Sequence, residues 1–243
     1  PESGVEPDVP DSAPAAECGC PGSACTSRFR QCVATKRERA GHNCGGRCDI
    51  VLVGDSILER MTGKTCFSRL NVSESGLAYR ETFGNSHPSV LNLGGACDQT
   101  QQVMYVLDEA LPVLRAPLAY LVLVGTNNLG HNGEDHALRG IRAVLDRLLD
   151  AHPTSKVLLH PLLPRGQVLA RVNALNDMLP ELVSNLSSSG ARVQMVDCGH
   201  TLGAPKFYRQ NFDWMQIHPT PKAYRKFLAC VGPEIDRATA SGP

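Results

Sequence analysis

The sequence lacks both a charge excess of either sign and any long apolar run. Its 24 basic and 24 acidic residues give a formal net charge of zero, so no single-sign field favours nucleic acid or an anionic membrane as a partner. No apolar stretch approaches the roughly 20 residues that a membrane span requires, and no internal repeat is visible. With 243 residues and 42% hydrophobic content, the chain has enough apolar side chains for a sizeable core.

Cysteine, in contrast, is abundant and unevenly placed. Six of the 10 cysteines lie in the first fifth of the chain: Cys18, Cys20, Cys25, Cys32, Cys44 and Cys48. Their even number, with glycosylation sequons at Asn71 and Asn185, predicts a disulfide-bonded glycoprotein that is secreted or extracellular. The alternative is a zinc site formed by Cys18, Cys20, His42, Cys44 and Cys48. Disulfides are favoured because the cysteines point to an oxidising compartment and because the spacing is irregular for zinc. The pairing itself stays open.

Composition divides the chain into three parts. Residues 1–17 are rich in Pro, Ala, Ser and acidic residues, and we expect a disordered lead. Residues 18–48 form a cysteine-rich segment, whose basic run Lys36-Arg37-Glu38-Arg39 is expected on a solvated face. Residues 49–238 alternate between short apolar runs and helical periods and are predicted to form the main domain.

This alternation predicts an α/β fold. Continuous apolar runs indicate strands at 50–53, 90–93, 118–124, 156–162 and 192–197. Apolar periods of 3.6 residues indicate helices at 57–70, 99–114, 134–151, 167–188 and 220–237. Right-handed crossovers between such strands produce a parallel sheet with helices on both faces. We therefore expect a three-layer αβα sandwich with a five-stranded, flavodoxin-like sheet in the order 2-1-3-4-5.

Polar residues follow the first three predicted strands and precede the last helix. Ser56 comes directly after a strand that ends in glycine, at the sheet edge where open α/β folds place their chemistry. A serine needs a base to become nucleophilic, and His218 is positioned in the chain to supply one. The side-chain amide of Asn127 and the N–H groups of nearby turns are candidate donors to an oxyanion.

These blocks resemble those of the SGNH (GDSL-type) hydrolase superfamily. The resemblance covers about residues 49 to 235, and leaves the cysteine-rich segment outside. Within the superfamily, the sequence is most similar to the catalytic subunits of intracellular platelet-activating-factor acetylhydrolases. The motifs that carry the resemblance are Gly54-Asp55-Ser56, the glycine-containing turn at Asn92–Asp98, Val124-Gly125-Thr126-Asn127-Asn128, Leu162-Leu163-Pro164-Arg165-Gly166 and His218.

The resemblance implies a mechanism and a substrate class. Ser56 would be the nucleophile and His218 the base. The oxyanion would be held by the N–H of Ser56, an N–H of the second turn at Cys97, and the side chain of Asn127. Members of the superfamily need no metal or organic cofactor and hydrolyse small acyl esters. The residues expected to support the two turns are Asp55 and Gly94.

The chain departs from the superfamily pattern at Cys97, where a glycine is usual. If the turn requires a positive φ at this position, cysteine is strained there. Three interpretations stay open: a disulfide-bonded cysteine, a buried thiol, and a cysteine nucleophile.

A second departure lies near the histidine. The superfamily places an aspartate three residues before it, and this chain has Met215 there. Asp213, five residues before His218, can reach the imidazole if the loop bulges. Otherwise a backbone carbonyl orients the ring, which leaves a Ser–His dyad, and Asp213 is a surface carboxylate.

We therefore predict a serine esterase that removes acetyl or another short acyl group from a glycan or small ester. An acyl O-transferase of the same fold, and a catalytically impaired module that binds a glycan or protein, are the alternatives. The intact set of Ser56, Asn127 and His218 favours an enzyme, because a triad is recognised by geometry and roles.

Overall fold

The computed structural model describes residues 25–42, 48–63, 65–66, 73–83, 89–130 and 132–240. The predicted disordered lead, Cys18, Cys20, Cys44 and the sequon at Asn71 lie outside these residues. Five strands form one parallel sheet: β1 (Ile50–Gly54), β2 (Val90–Asn92), β3 (Ala119–Leu123), β4 (Lys156–Leu159) and β5 (Val193–Met195). Their order is β2-β1-β3-β4-β5, which confirms the flavodoxin-like prediction.

The described helices are α1 (Cys25–His42), α2 (Ser56–Met61), α3 (Ser73–Phe83), α4 (Thr100–Ala110), α5 (Thr126–Leu129), α6 (Glu134–Ala151), α7 (Leu169–Ser188) and α8 (Pro221–Ala240). Helix α6 has the predicted bounds, because its apolar stripe is uninterrupted. In the part of the chain that the structure describes, no helix combines the length and apolar content that crossing a membrane requires.

The helices cover both faces of the sheet, which confirms the three-layer architecture. Helices α1, α4, α6 and α7 contact one another in sequence, and α2, α3 and α8 form a second group. Strands β1 and β3 lie in the middle, and all their residues are buried. Burial on both faces explains why these strands are continuous apolar runs rather than alternating ones. The core is one cluster that includes residues of all five strands.

The sequence-based expectation misses the one-turn helix α5, and three longer helical segments differ from it as well. The helix predicted at 57–70 ends at Met61, because Gly63 has φ 73° and the chain turns away. Helices α1 and α3 were not predicted. The apolar stripe of α1 is interrupted by Lys36, and the hydrophobic period that would indicate a helix is therefore weak.

Disulfides link the amino-terminal helix to the rest of the fold. Cys32 of α1 is bonded to Cys66, with Cα atoms 5.8 Å apart, and Cys198 is bonded to Cys230 of α8. Cys48 and Cys97 are disulfide-bonded too, and none of the described cysteines is a free thiol. Cys48 is therefore not available as a zinc ligand. Helix α1 shares the hydrophobic core of the sheet, while the predicted domain boundary at residue 49 stays a prediction.

Candidate active site

The serine stands on a sharp turn at the carboxyl end of β1. Gly54 is the last residue of the strand, and a Cβ there would lie 2.1 Å from the carbonyl oxygen of Leu123, so only glycine fits. Asp55 is the N-cap of α2, and its Oδ1 accepts a hydrogen bond of 2.9 Å from the N–H of Ile57. Complete burial raises the pKa of Asp55 to about 7. Asp55 thus caps the turn that presents Ser56, the first residue of α2.

Three polar side chains form a hydrogen-bonded chain above this turn. Ser56 Oγ lies 2.9 Å from Nε2 of His218, although the two residues are 162 positions apart. The other ring nitrogen of His218, Nδ1, lies 2.8 Å from Oδ2 of Asp213. This order of groups is that of a Ser–His–Asp triad, in which the carboxylate selects the tautomer whose Nε2 can accept a proton.

The loop from Asp213 to His218 bulges so that its two ends meet. The N–H of Asp213 donates to the carbonyl of His218 over 2.8 Å, and Oδ1 of Asp213 accepts from the N–H groups of Ile217 and His218. Gln216 has φ 60°, which turns the chain back within the loop. These contacts allow an aspartate five residues before the histidine to reach its ring. Met215, at the position usual for the carboxylate, has no role in this chain of hydrogen bonds.

The groups around His218 shift its pKa in opposite directions. Burial lowers the pKa of His218, and the nearby Arg60 guanidinium lowers it further, whereas Asp213 raises it. Burial alone would raise the pKa of Asp213, but hydrogen bonds from His218 and from the N–H of Ile217 lower it overall. His218 is therefore neutral near pH 7 and able to accept a proton, while Asp213 is a carboxylate.

The turn after β2 lies beside the serine and has a strained residue. Cys97 has φ 61°, the left-handed conformation that cysteine rarely adopts. Because Cys97 is disulfide-bonded, its sulfur is not a nucleophile, and the third interpretation of this residue is wrong. Gly94 allows the turn to approach α2 closely, since a Cβ there would lie 2.7 Å from the N–H nitrogen of Glu59.

Asn127, at the start of α5, points to the same turn. Its Nδ2 donates a hydrogen bond of 2.9 Å to the carbonyl oxygen of Asp98. A side-chain amide has two N–H donors, and this hydrogen bond uses one of them. The structure thus places Ser56, Cys97, Asn127, Asp213 and His218 around one end of the sheet.

Two arginines lie at the site, and one of them, Arg60, was not identified from the sequence. Arg60 Nη1 lies 3.6 Å from Oδ2 of Asp213, and Arg165 donates to the carbonyl of Thr126 over 2.7 Å. Arg60 follows the serine by four residues, so its helical spacing was a usable signal. Arg165 therefore contacts the backbone of the first residue of α5, next to Asn127.

A parallel sheet that carries a Ser–His–Asp chain at its carboxyl edge has the architecture of an α/β serine hydrolase. The sequence model described as the GDSL-like Lipase/Acylhydrolase family matches residues 52–226. The chain belongs to this family. Helix α1 precedes the matched segment.

Curated relatives include subunits of one enzyme. The chain is 30% identical to platelet-activating factor acetylhydrolase IB subunit alpha1 of Homo sapiens over 149 residues, which are 61% of this chain and 58% of that protein. The match therefore spans less than two thirds of that relative. It is 28% identical to subunit alpha2 of Rattus norvegicus over 182 residues, which are 73% of this chain and 72% of that protein.

Solved structures share the fold at low sequence identity. A family 3 carbohydrate esterase of Clostridium thermocellum has a TM-score of 0.62 and 18% identity, covering 81% of this chain and 100% of that one. A GDSL-like lipase of Bacteroides thetaiotaomicron has a TM-score of 0.62 and 17% identity, covering 86% and 98%. Identities this low establish the fold and nothing more specific.

Proposed function

We propose that the protein is a serine esterase that hydrolyses short-chain acyl esters, acetyl esters above all. The observation that carries the proposal is the hydrogen-bonded chain from Ser56 through His218 to Asp213, with 2.9 Å and 2.8 Å between the paired atoms. Such a chain activates a hydroxyl that is otherwise a weak nucleophile. Membership of the family specifies neither the acyl group nor the alcohol of the ester, so we propose both here.

The proposed reaction has two steps, acylation of Ser56 and hydrolysis of the acyl-enzyme. Nε2 of His218 takes the proton of the Ser56 hydroxyl as Oγ attacks the acyl carbonyl carbon. The tetrahedral intermediate collapses, the ester C–O bond breaks, and His218 returns the proton to the departing alcohol. A water molecule then attacks the acyl-enzyme, with His218 again as base. The carboxylic acid leaves, and the Ser56 hydroxyl is regenerated.

The negative charge on the intermediate needs donors that are already in place. We assign this role to the backbone N–H of Ser56, the backbone N–H of Cys97 and the second N–H of the Asn127 amide. The left-handed φ of 61° at Cys97 supports this assignment, because strained backbone is typical of such sites. One donor of this kind contributes about 3–4 kcal/mol to stabilisation of the transition state.

The proposal is tested by labelling with a fluorophosphonate, which reacts covalently with activated serines. We expect one adduct per chain, on the peptide that contains Ser56, and parallel loss of p-nitrophenyl acetate turnover. Ser155 is an internal control, because it is a buried serine whose hydroxyl donates to the carbonyl of Pro117 and, among the described residues, makes no hydrogen bond to a histidine ring. Turnover without a Ser56 adduct would contradict the proposal.

The alcohol part of the substrate is proposed to be a sugar. Trp214, the only tryptophan of the chain, is 81% exposed and directly follows Asp213. Its loop is anchored, since Arg209 donates to the backbone carbonyls of Asp213 and Trp214. An exposed indole on an anchored loop beside the triad offers a flat apolar surface on which a pyranose ring can stack.

Trp214→Ala is expected to raise KM for an acetylated monosaccharide about tenfold, since losing one aromatic contact costs about 1 kcal/mol or slightly more. KM for ethyl acetate, which has no ring to stack, should stay within about twofold. Tyr208→Ala is the matched control, because this exposed tyrosine packs against Gly203 and is not next to Asp213 in the chain. Equal KM changes for both esters would rule out the stacking role.

We also infer that the protein acts outside the cell or in another oxidising compartment. Disulfides persist where thiols are not kept reduced. The Cys32–Cys66 and Cys198–Cys230 bonds therefore support this location. The sequon asparagine Asn185 is exposed on α7, where a glycan would meet solvent.

A further inference from the structure

Helix α1 buries a lysine where its amphipathic pattern calls for an apolar side chain. Phe29, Val33, Lys36 and Ala40 recur at helical spacing and form the buried face of the helix. Lys36 is 3% exposed, while its neighbours Arg37 and Arg39 are exposed as predicted. The prediction of a solvated face is therefore wrong for Lys36. A lysine this deeply buried requires a counter-charge.

The counter-charge is the carboxylate of Asp98, in the turn that follows Cys97. Lys36 Nζ lies 3.8 Å from Oδ2 of Asp98, and the two side chains are only 4% and 2% exposed. Among the described residues, this oxygen has no hydrogen-bond partner. The pair packs on Gly95, where a Cβ would lie 2.0 Å from Oδ2 of Asp98 and 2.7 Å from Lys36 Nζ.

A second buried carboxylate, that of Glu59, lines the same cavity as Lys36. Glu59 lies on α2, the helix that begins with Ser56, and its Oε1 accepts a hydrogen bond of 2.7 Å from the N–H of Cys66. Burial raises the pKa of Glu59, while the hydrogen bond from Cys66 and the charge of Lys36 lower it in part. The ammonium of α1 therefore pairs with a carboxylate of the second turn, and its charge also acts on a carboxylate of the serine helix.

Asp98 connects this ion pair to the proposed oxyanion donors. Its carbonyl oxygen accepts the Asn127 side chain over 2.9 Å, and its N–H donates to the carbonyl of Gly95 over 3.2 Å. Cys97, whose backbone is strained, immediately precedes it. Strained backbone persists only where its surroundings hold it, and a displacement of about 1 Å in a donor can cost up to about 10²-fold in rate.

We propose that Lys36 is a positioning residue for the oxyanion hole: its buried ion pair with Asp98 anchors the 95–98 turn to α1 and holds the N–H of Cys97 and the amide of Asn127 in place. This inference rests on the proposed esterase function. The anchor comes from a helix outside the family-matched segment, so the amino-terminal part of the chain contributes to the active site. Lys36 itself contacts neither the serine nor the acyl group.

The test compares Lys36→Met, which keeps a long apolar side chain without the charge, with the wild-type protein. We expect kcat for p-nitrophenyl acetate to fall about 10- to 100-fold, while KM changes less than about threefold, because the lost contacts act only in the transition state. The matched control is Val33→Ala, which removes a buried apolar group one turn earlier on α1. It should lower Tm and leave kcat within about twofold.

Three results would overturn the inference. One is a kcat for Lys36→Met equal to that of the wild type, and another is an equal loss of kcat in Val33→Ala. If Lys36→Met does not fold, the double variant Lys36→Met/Asp98→Asn replaces it, because removing both charges leaves neither of them unpaired. The folded double variant should still lose at least about fivefold in kcat. The third is a wild-type kcat in that variant. An inactive wild-type protein would overturn the proposed function and this inference together, whereas an active one isolates the role of Lys36.

Discussion

Ser56→Ala and His218→Ala are each expected to lower kcat for p-nitrophenyl acetate about 10⁶-fold, with little change in KM. The hydroxyl and the imidazole form one proton-transfer unit with 2.9 Å between Oγ and Nε2, so loss of either removes nucleophilic catalysis altogether. The Ser56→Ala/His218→Ala double variant should therefore be no slower than either single variant. Multiplied losses in the double variant would show that the two residues act independently, which contradicts the proposed unit.

Controls for these variants come from the opposite end of the sheet. Ser155→Ala removes a buried hydroxyl next to the start of β4 that donates to the carbonyl of Pro117 over 2.6 Å. We expect it to cost about 1 kcal/mol of unfolding free energy and to leave kcat unchanged. A large loss of kcat in this variant would indicate that general destabilisation, rather than missing chemistry, explains the inactive proteins.

Asp213→Asn is expected to lower kcat about 10⁴-fold, the second largest effect. The asparagine amide can donate to Nδ1 of His218, which favours the tautomer whose Nε2 carries a hydrogen and cannot accept the serine proton. Because Oδ2 of Asp213 lies 2.8 Å from Nδ1 of His218, an asparagine amide at this position is within hydrogen-bond distance of the same nitrogen. The measurement is kcat for p-nitrophenyl acetate well above the pH at which the histidine titrates.

The same variant should change the pH profile in a defined direction. The wild-type kcat/KM should rise with pH as His218 loses its proton, with a midpoint below about 6.5, because burial lowers the pKa of His218. The Asp213 carboxylate opposes that shift by stabilising the imidazolium. Its removal therefore lowers the pKa of His218 further, and the acid limb should move to lower pH while the plateau falls.

Asp197→Asn is the matched control for Asp213→Asn. Asp197 follows β5 at the same edge of the sheet, and it accepts a hydrogen bond of 2.8 Å from the N–H of Gly199. It makes no contact with His218 among the hydrogen bonds of the described residues, so kcat should stay within about twofold. A wild-type plateau in Asp213→Asn would instead show that Ser56 and His218 work as a dyad.

Much of the fold was predictable because local patterns report burial. Strands β1 and β3 are buried on both faces, and their continuous apolar runs indicate this burial. The apolar stripe of α6 likewise predicts the helix bounds that the structure shows. Helix α1 was not predictable in this way, because a lysine occupies a buried position of its stripe. The buried lysine is paired with Asp98, a partner 62 positions away whose location only the fold determines.

The residues of the candidate site were likewise predictable only in part. The identities of Ser56, Asn127 and His218 follow from motifs, because each is the residue type that its chemistry needs at a strand end. The sequence by itself therefore determined the sheet, its order and the reacting groups. Only the tertiary structure decided that Asp213 reaches His218 and that Lys36 pairs with Asp98. Both depend on loop geometry and on long-range ion pairing, and residue spacing along the chain specifies neither.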